Sequence, residues 1–369
     1  MRKNKGKVIC LVLSILMLSA IVSGCSKSVR YEDNLDDYVV SLNYSDGFTI
    51  LQLTDLHWST ASPVKSQVGG CEKYLKKVIA ETKAHAGKID LIEITGDTFM
   101  LSTTKTVNNF IEVMEEIGIP YAIIWGNHDR EGKYNPNWLS EKFKNADHCL
   151  YVEVDHDNVH ERGNYIINLL KEDGSVAWQI ANMDSGASYR EGAGDMFLTY
   201  DYFRQDQFDW LTAEHQKAGQ DVPVICYYHI AQADNDIGFE AIQKGNTSYY
   251  SKFFKLESFA ASDYAPETED VFLKNHVVAA FMGHAHADDF TFTTPSGITY
   301  GLGVKTGKEL YYGTVRADDM SGGFSLGKDF DLIGASLVTL TDTTGQFSLE
   351  HLYLNELENG DFIHWEAYR

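Results

Sequence analysis

The sequence predicts an α/β fold built around a parallel sheet. Two patterns in its 369 residues carry that expectation. Apolar strand-like runs alternate with stretches of helical spacing, as parallel strands joined by helical crossovers require. Five of the apolar runs also end in Asp, Asn or His. Polar side chains are thereby delivered to the carboxyl ends of buried strands, where open α/β sheets form their crevices.

Taken in order, the chain begins with a targeting segment. Arg2, Lys3, Lys5 and Lys7 precede an apolar run over 8–22, short for a membrane span. The run closes on Ser23-Gly24-Cys25, which resembles a bacterial lipoprotein signal, in which the Cys becomes the lipidated N-terminus. Residues 1–24 are therefore expected to be a signal peptide and Cys25 the lipidation site. The protein would sit on the extracytoplasmic face of the cell membrane, held by the lipid alone. Residues 25–46, with Glu32, Asp33, Asp36 and Asp37, read as a tether ahead of a domain over 47–369.

The first apolar run, 48–54, ends in Asp55-Leu56-His57. A helix follows over 71–86, with Tyr74, Leu75, Val78 and Ile79 on one face. The run 91–95 ends in Gly96-Asp97, and a second helix covers 106–117. The run 121–125 ends in Gly126-Asn127-His128-Asp129, followed by a third helix over 137–145. Strands are then expected over 150–154, 164–170 and 176–182, with Asp173-Gly174 as the hairpin turn between the last two. Helical spacing returns over 203–218. The run 223–228 ends in His229, and the run 277–282 in Gly283-His284-Ala285-His286. Between them, 231–266 lacks periodicity and is rich in aromatics, which suits a lid over a site. Strands over 289–294, 298–304, 335–341 and 347–353 complete the chain, with a Gly-rich loop over 313–334.

Carboxylate and amide oxygens mixed with neutral imidazoles suit Zn, Mn or Fe better than Ca or Mg, which prefer oxygen shells. Asp55 and His57 are two apart, as are His284 and His286, so each pair shares a face of an extended strand. The glycines before Asp97, Asn127 and His284 permit close backbone approach.

The ordered series Asp-x-His, Gly-Asp, Gly-Asn-His-Asp, His, Gly-His-x-His resembles the calcineurin-like metallophosphoesterase superfamily, over about residues 48–290. The resemblance implies a four-layer αββα sandwich with a dinuclear site at the strand ends. It implies that Asp55, His57 and His286 hold one metal, that Asn127, His229 and His284 hold the other, and that Asp97 bridges both. His128 would face substrate without binding metal. The cofactors implied are two divalent or trivalent transition metals, Mn, Fe or Zn. The protein Ser/Thr phosphatase branch carries Gly-Asp-x-x-Asp-Arg-Gly, but here Gly96-Asp97 leads into Thr98-Phe99-Met100-Leu101. Met100 also stands where purple acid phosphatases place their iron-binding Tyr.

Two such metals would clamp phosphoryl oxygens and bring a bridging water toward neutral pKa, and the resulting metal-bridging hydroxide would attack phosphorus. His128 would protonate the leaving alkoxide or stabilise phosphoryl charge. Asp129 would orient that imidazole or cap the following helix, and Arg130 would contact phosphate. The expected function is hydrolysis of phosphomonoesters. The alternatives are a phosphodiesterase acting on nucleotides or phospholipid headgroups, and a non-catalytic envelope binding lipoprotein on the same scaffold.

Charge and cysteine usage exclude other classes. The formal net charge is −22, and the first 24 residues hold four basic residues and no acid, so without them it is −26. No nucleic-acid affinity is expected, since that depends on Lys and Arg neutralising phosphates. The five cysteines include no C-x-x-C spacing, which argues against a disulfide scaffold or a zinc finger.

Overall fold

A computed structural model describes residues 39–58, 70–100, 102–131, 133–152, 159–189, 199–235, 238, 253–255, 261–264, 267–286, 288–307, 333–354 and 366–368. The signal peptide, Cys25 and most of 231–266 and 313–334 lie outside these residues.

The strands run in chain order: β1 (Val39–Asn43), β2 (Phe48–Leu53), β3 (Leu91–Thr95), β4 (Tyr121–Ile124), β5 (Tyr165–Leu170), β6 (Val176–Asn182), β7 (Ser188–Tyr189), β8 (Thr199–Tyr200), β9 (Val224–Tyr227), β10 (Phe253–Lys255), β11 (Val277–Met282), β12 (Asp288–Thr293), β13 (Thr299–Leu302), β14 (Gly334–Leu340), β15 (Phe347–Tyr353) and β16 (Glu366–Tyr368). The helices are α1 (Gly70–Ala86), α2 (Thr104–Ile117), α3 (Pro136–Phe143), α4 (Gln205–Ala218) and α5 (Thr268–Lys274), with a 3₁₀ turn at His128–Arg130.

An eight-stranded sheet has the order β1-β5-β6-β9-β11-β13-β12-β10, and a six-stranded sheet the order β16-β15-β14-β2-β3-β4. β2, β3 and β4 pair in parallel, as do β6, β9, β11 and β13, so the strands expected to carry the site all point the same way within their sheets. The sheets face each other. Gln52 Nε2 donates to the Met282 carbonyl across the gap, and Phe281 packs edge-on against Phe347. α1 packs on α2 and β14, α4 on β6, and α5 on β11, which completes the four-layer αββα sandwich. Residues on β2, β3, β4, β9 and β11 are buried throughout, and that is why these strands read as continuous apolar runs rather than alternating ones.

Local chemistry sets the element ends. Thr103 caps α2 by accepting from Thr106 N, and Gly118 ends it in the left-handed region at φ 70°. Pro136 opens α3, where a missing N–H costs nothing.

Three expectations need correction. The tether ends before residue 46: Val39–Asn43 is β1, paired in parallel with β5 from Val39–Ile166 to Asn43–Leu170. The acids at 32–37 drew the boundary too late, although Val39, Val40 and Leu42 supply apolar area for a strand. Leu150–Val152 is not a strand; Cys149 bridges Tyr121, and Leu150 N donates to the Tyr121 carbonyl. Helix α5 was not foreseen, because Phe272 is its one buried large apolar side chain. Among the described residues no helix is long and apolar enough to cross a membrane, and the described cysteines, Cys71, Cys149 and Cys226, are buried.

Candidate metal centre

The strand ends meet where the sequence predicts. Asp55, His57, Asp97 and His286 place one donor atom each within 4.8 Å of one another, and Asp97, His229 and His284 do the same beside them. Asp97 belongs to both groups. Asn127 joins the second, its Oδ1 lying 3.2 Å from His229 Nε2.

Several donor pairs in each group are spaced as ligands of one cation are, although His57 Nε2 lies 4.0 Å from Asp55 Oδ1. Asp55 Oδ1 lies 3.2 Å from His286 Nε2, and the Nε2 atoms of His57 and His286 are 3.1 Å apart. Asp97 Oδ2 lies 3.3 Å from His229 Nε2. Donors about 2.0–2.2 Å from one transition metal are separated by roughly 2.9–3.5 Å in tetrahedral or octahedral shells. Asp55 Oδ1, Asp97 Oδ2 and His284 Nε2 are buried without a hydrogen-bond partner among the described residues. Buried polar atoms rarely stay unpaired, so orphaned lone pairs converging on two points are a fit for two metals.

Protonation agrees. Burial alone would raise Asp55 and Asp97, yet the neighbouring imidazoles, His286 above all for Asp55 and His229 for Asp97, hold both well below the usual carboxylate range. Burial pushes His57 down to about 3 and His284 to about 4, which keeps both neutral. Burial opposes charge on His229 too, but the Asp97 carboxylate outweighs it and raises the imidazole to about 9. That proton occupies the place a cation would take, and metal binding to such a site releases protons. His229 Nδ1 donates to the Thr95 carbonyl at 2.8 Å, which turns Nε2 into the site.

The backbone is strained at this site. Asp55, His57, Asp97 and His284 have φ of 50°, 46°, 47° and 77°, a region that costs L-residues roughly 1–3 kcal/mol each and persists where surroundings over-determine it. Space is equally tight. A Cβ at Gly96 would lie 2.4 Å from His229 Nδ1, and one at Gly126 would lie 2.2 Å from Asp97 Oδ1.

His128 stands beside the ligand groups without joining either. Its ring meets that of His57 edge-on at 5.1 Å, and its backbone N donates to Asp97 Oδ1 at 2.8 Å. Its Nδ1 pairs with Glu131 Oε1 at 2.8 Å. Asp129 therefore does not orient this imidazole, nor does it cap a following helix. Its carboxylate accepts from the N–H groups of Gly126 and Phe99, both at 2.8 Å, and of Thr98 at 3.3 Å. Asp129 thus ties the loop after β3 to the loop after β4. Burial, then the charge of Asp97, raises it to about 7.

Arg130 is not a free phosphate hand either. Its Nη2 donates to Asp184 at 2.5 Å and to Glu161 at 3.1 Å, while Nη1 is buried without a partner among the described residues. Sequence reasoning also missed Tyr200, whose ring meets His284 edge-on at 4.5 Å. Neither Glu131 nor Tyr200 has a spacing signal; each is recognisable only once its turn is folded.

The chain is similar to several known proteins. The model of the calcineurin-like phosphoesterase family matches residues 48–288. A protein named probable inactive purple acid phosphatase 28, from Arabidopsis thaliana, is 26% identical over 300 residues, 72% of this chain and 71% of that one. A probable cyclic nucleotide phosphodiesterase from Psychrobacter arcticus is 33% identical over 97 residues, 25% of this chain and 35% of its own length. Among solved structures, a dimetal phosphatase from Danio rerio superposes with a TM-score of 0.50 at 11% identity, covering 84% of this chain and 97% of that one. The last likeness bears on fold alone.

Proposed function

Because the chain belongs to the calcineurin-like phosphoesterase family, we propose that it hydrolyses phosphomonoesters with two transition metals, Mn, Fe or Zn, held by Asp55, His57, Asp97, Asn127, His229, His284 and His286. The observation that carries this reading is His128. A scaffold that only bound metal would have no need of an imidazole beside both ligand groups yet in neither.

When bound, the metals supply positive charge to phosphoryl oxygens and acidify water. The chain's own residues do the rest. Asp97, shared by the two groups, fixes their separation and, through its Oδ1, the backbone of His128. Asp129 keeps the loops bearing Asp97 and Asn127 in register. His128 Nδ1 is engaged by Glu131, so Nε2 is the atom that gives a proton to the departing oxygen.

The test is His128→Ala in metal-replete protein. Bound metal should be unchanged, and kcat should fall by on the order of 10²–10⁴ for esters with poor leaving groups, less for an activated aryl phosphate. Equal turnover of every ester before and after substitution would remove His128 from the chemistry. Monoesters turning over well below diesters in the same panel would replace the phosphatase reading with the phosphodiesterase one. Metal bound with no hydrolysis at all would leave the non-catalytic lipoprotein.

The proposal extends to location. The basic start, the short apolar run and Ser23-Gly24-Cys25 support lipidation at Cys25 and an extracytoplasmic site of action.

A further inference from the structure

The turn that carries His128 brings one more carboxylate to the site. Residues His128–Arg130 form a single 3₁₀ turn, closed by Glu131 N donating to the His128 carbonyl at 3.1 Å. Side chains three apart on such a turn eclipse one another. Glu131 is therefore stacked over His128, and its Oε1 meets Nδ1 at 2.8 Å. Asp129, the acid the sequence offers for this task, spends its oxygens on backbone N–H groups of two loops.

We propose that Glu131 is the positioning residue for His128, fixing the ring's orientation and tautomer so that Nε2, not Nδ1, faces the substrate. This rests on the reading that His128 protonates the leaving oxygen. A carboxylate only accepts, so the Glu131 contact places the imidazole hydrogen on Nδ1 in the neutral ring. A protonated His128 then has one mobile donor, Nε2–H. Transfer of that proton to the departing alkoxide oxygen breaks the N–H bond, forms O–H and returns a neutral ring with hydrogen on Nδ1. Glu131 takes no proton itself. Its side chain is 40% exposed against 23% for His128, so it lies at the rim, and its removal opens no core cavity.

A double-mutant cycle tests this with metal-replete full-length protein. Initial rates on an alkyl phosphate and on 4-nitrophenyl phosphate are measured for wild type, Glu131→Ala, His128→Ala and the double variant, with bound metal and melting temperature as controls. Glu131→Ala should lower kcat on the alkyl ester about 10- to 100-fold, the scale for carboxylates that orient functional imidazoles. KM and metal content should stay unchanged, and the aryl ester should lose less. In the His128→Ala background the same substitution should cost nothing further, because its partner is already gone. Glu131→Gln, which keeps an acceptor without the charge, should recover part of the lost rate. Additive losses, or equal losses on both esters, would overturn the proposal. A silent His128→Ala would overturn it differently, by removing the reading on which it rests.

Discussion

Gly126→Ala is the most demanding test of how the centre is built. The residue stands between β4 and Asn127 with φ outside the left-handed region, so alanine is allowed there by its backbone. The added methyl is what matters. Its carbon would lie 2.2 Å from Asp97 Oδ1 and 2.8 Å from His229 Nε2, and real Cβ contacts stay beyond 3.0 Å. Asp97 must therefore retreat by at least 0.8 Å, the difference between those two distances. Metal–ligand distances hold to about 0.2 Å, so the shared carboxylate cannot serve both groups after such a shift. Overpacking of this kind costs roughly 1–3 kcal/mol of stability, which leaves a domain of this size folded. The expected outcome is a folded protein by circular dichroism that has lost at least one metal by elemental analysis. Its kcat should be down about 10²-fold or more, the scale for a 1 Å misplacement. A variant that keeps both metals and turns over within a few-fold of wild type would refute the assignment of Asp97 as the shared ligand.

Further predictions come from other parts of the chain. Glu93 is fully buried, neither oxygen has a partner among the described residues, and burial raises its pKa well above the usual 4.5. For an acid raised on folding, the unfolded chain ionises first. Glu93 thus adds no pH-dependent cost below about pH 4.5 and destabilises increasingly above it. Urea unfolding should show Glu93→Gln gaining on wild type by about 1.4 kcal/mol per pH unit above that point, until the folded-state pKa is reached; a pH-independent difference would contradict this. Arg130→Met would strand Asp184, whose side chain is fully buried, and should cost about 3–5 kcal/mol in chemical denaturation; a loss below about 1 kcal/mol would mean that the ion pair does not form. Cys25→Ser should block lipidation and release by the lipoprotein signal peptidase; unchanged fractionation and processing would end the anchor reading.

The sequence was most legible where strands are buried on both faces. The runs before Asp55, Asp97, Asn127, His229 and His284 are continuous because both sheet faces are covered, and a continuous run followed by a polar tip marks a strand end plainly. The strand ends offered the Asp, Asn and His residues, and the family resemblance implied which seven of them are ligands. The parts that were not readable depend on the third dimension. β1 is five residues long and was hidden behind an acidic stretch. The roles of Asp129 and Arg130 turned on which way a three-residue turn rotates its side chains, and nothing in Asn-His-Asp-Arg-Glu says whether the third residue or the fifth will meet the imidazole of the second. Tyr200 reaches His284 from a two-residue strand far away in sequence.

Asp97, one buried carboxylate shared by both ligand groups, is proposed to hold two metals for phosphoester hydrolysis. The direct measurement is metal content and turnover, in parallel, on metal-stripped protein resupplied with Mn, Zn, Fe or Mg, for wild type and Asp97→Asn. Two ions per wild-type chain are expected, with hydrolysis restored by a transition metal, and both ions and activity should be lost in Asp97→Asn. Hydrolysis that persists in the stripped protein, or in Asp97→Asn, would contradict it.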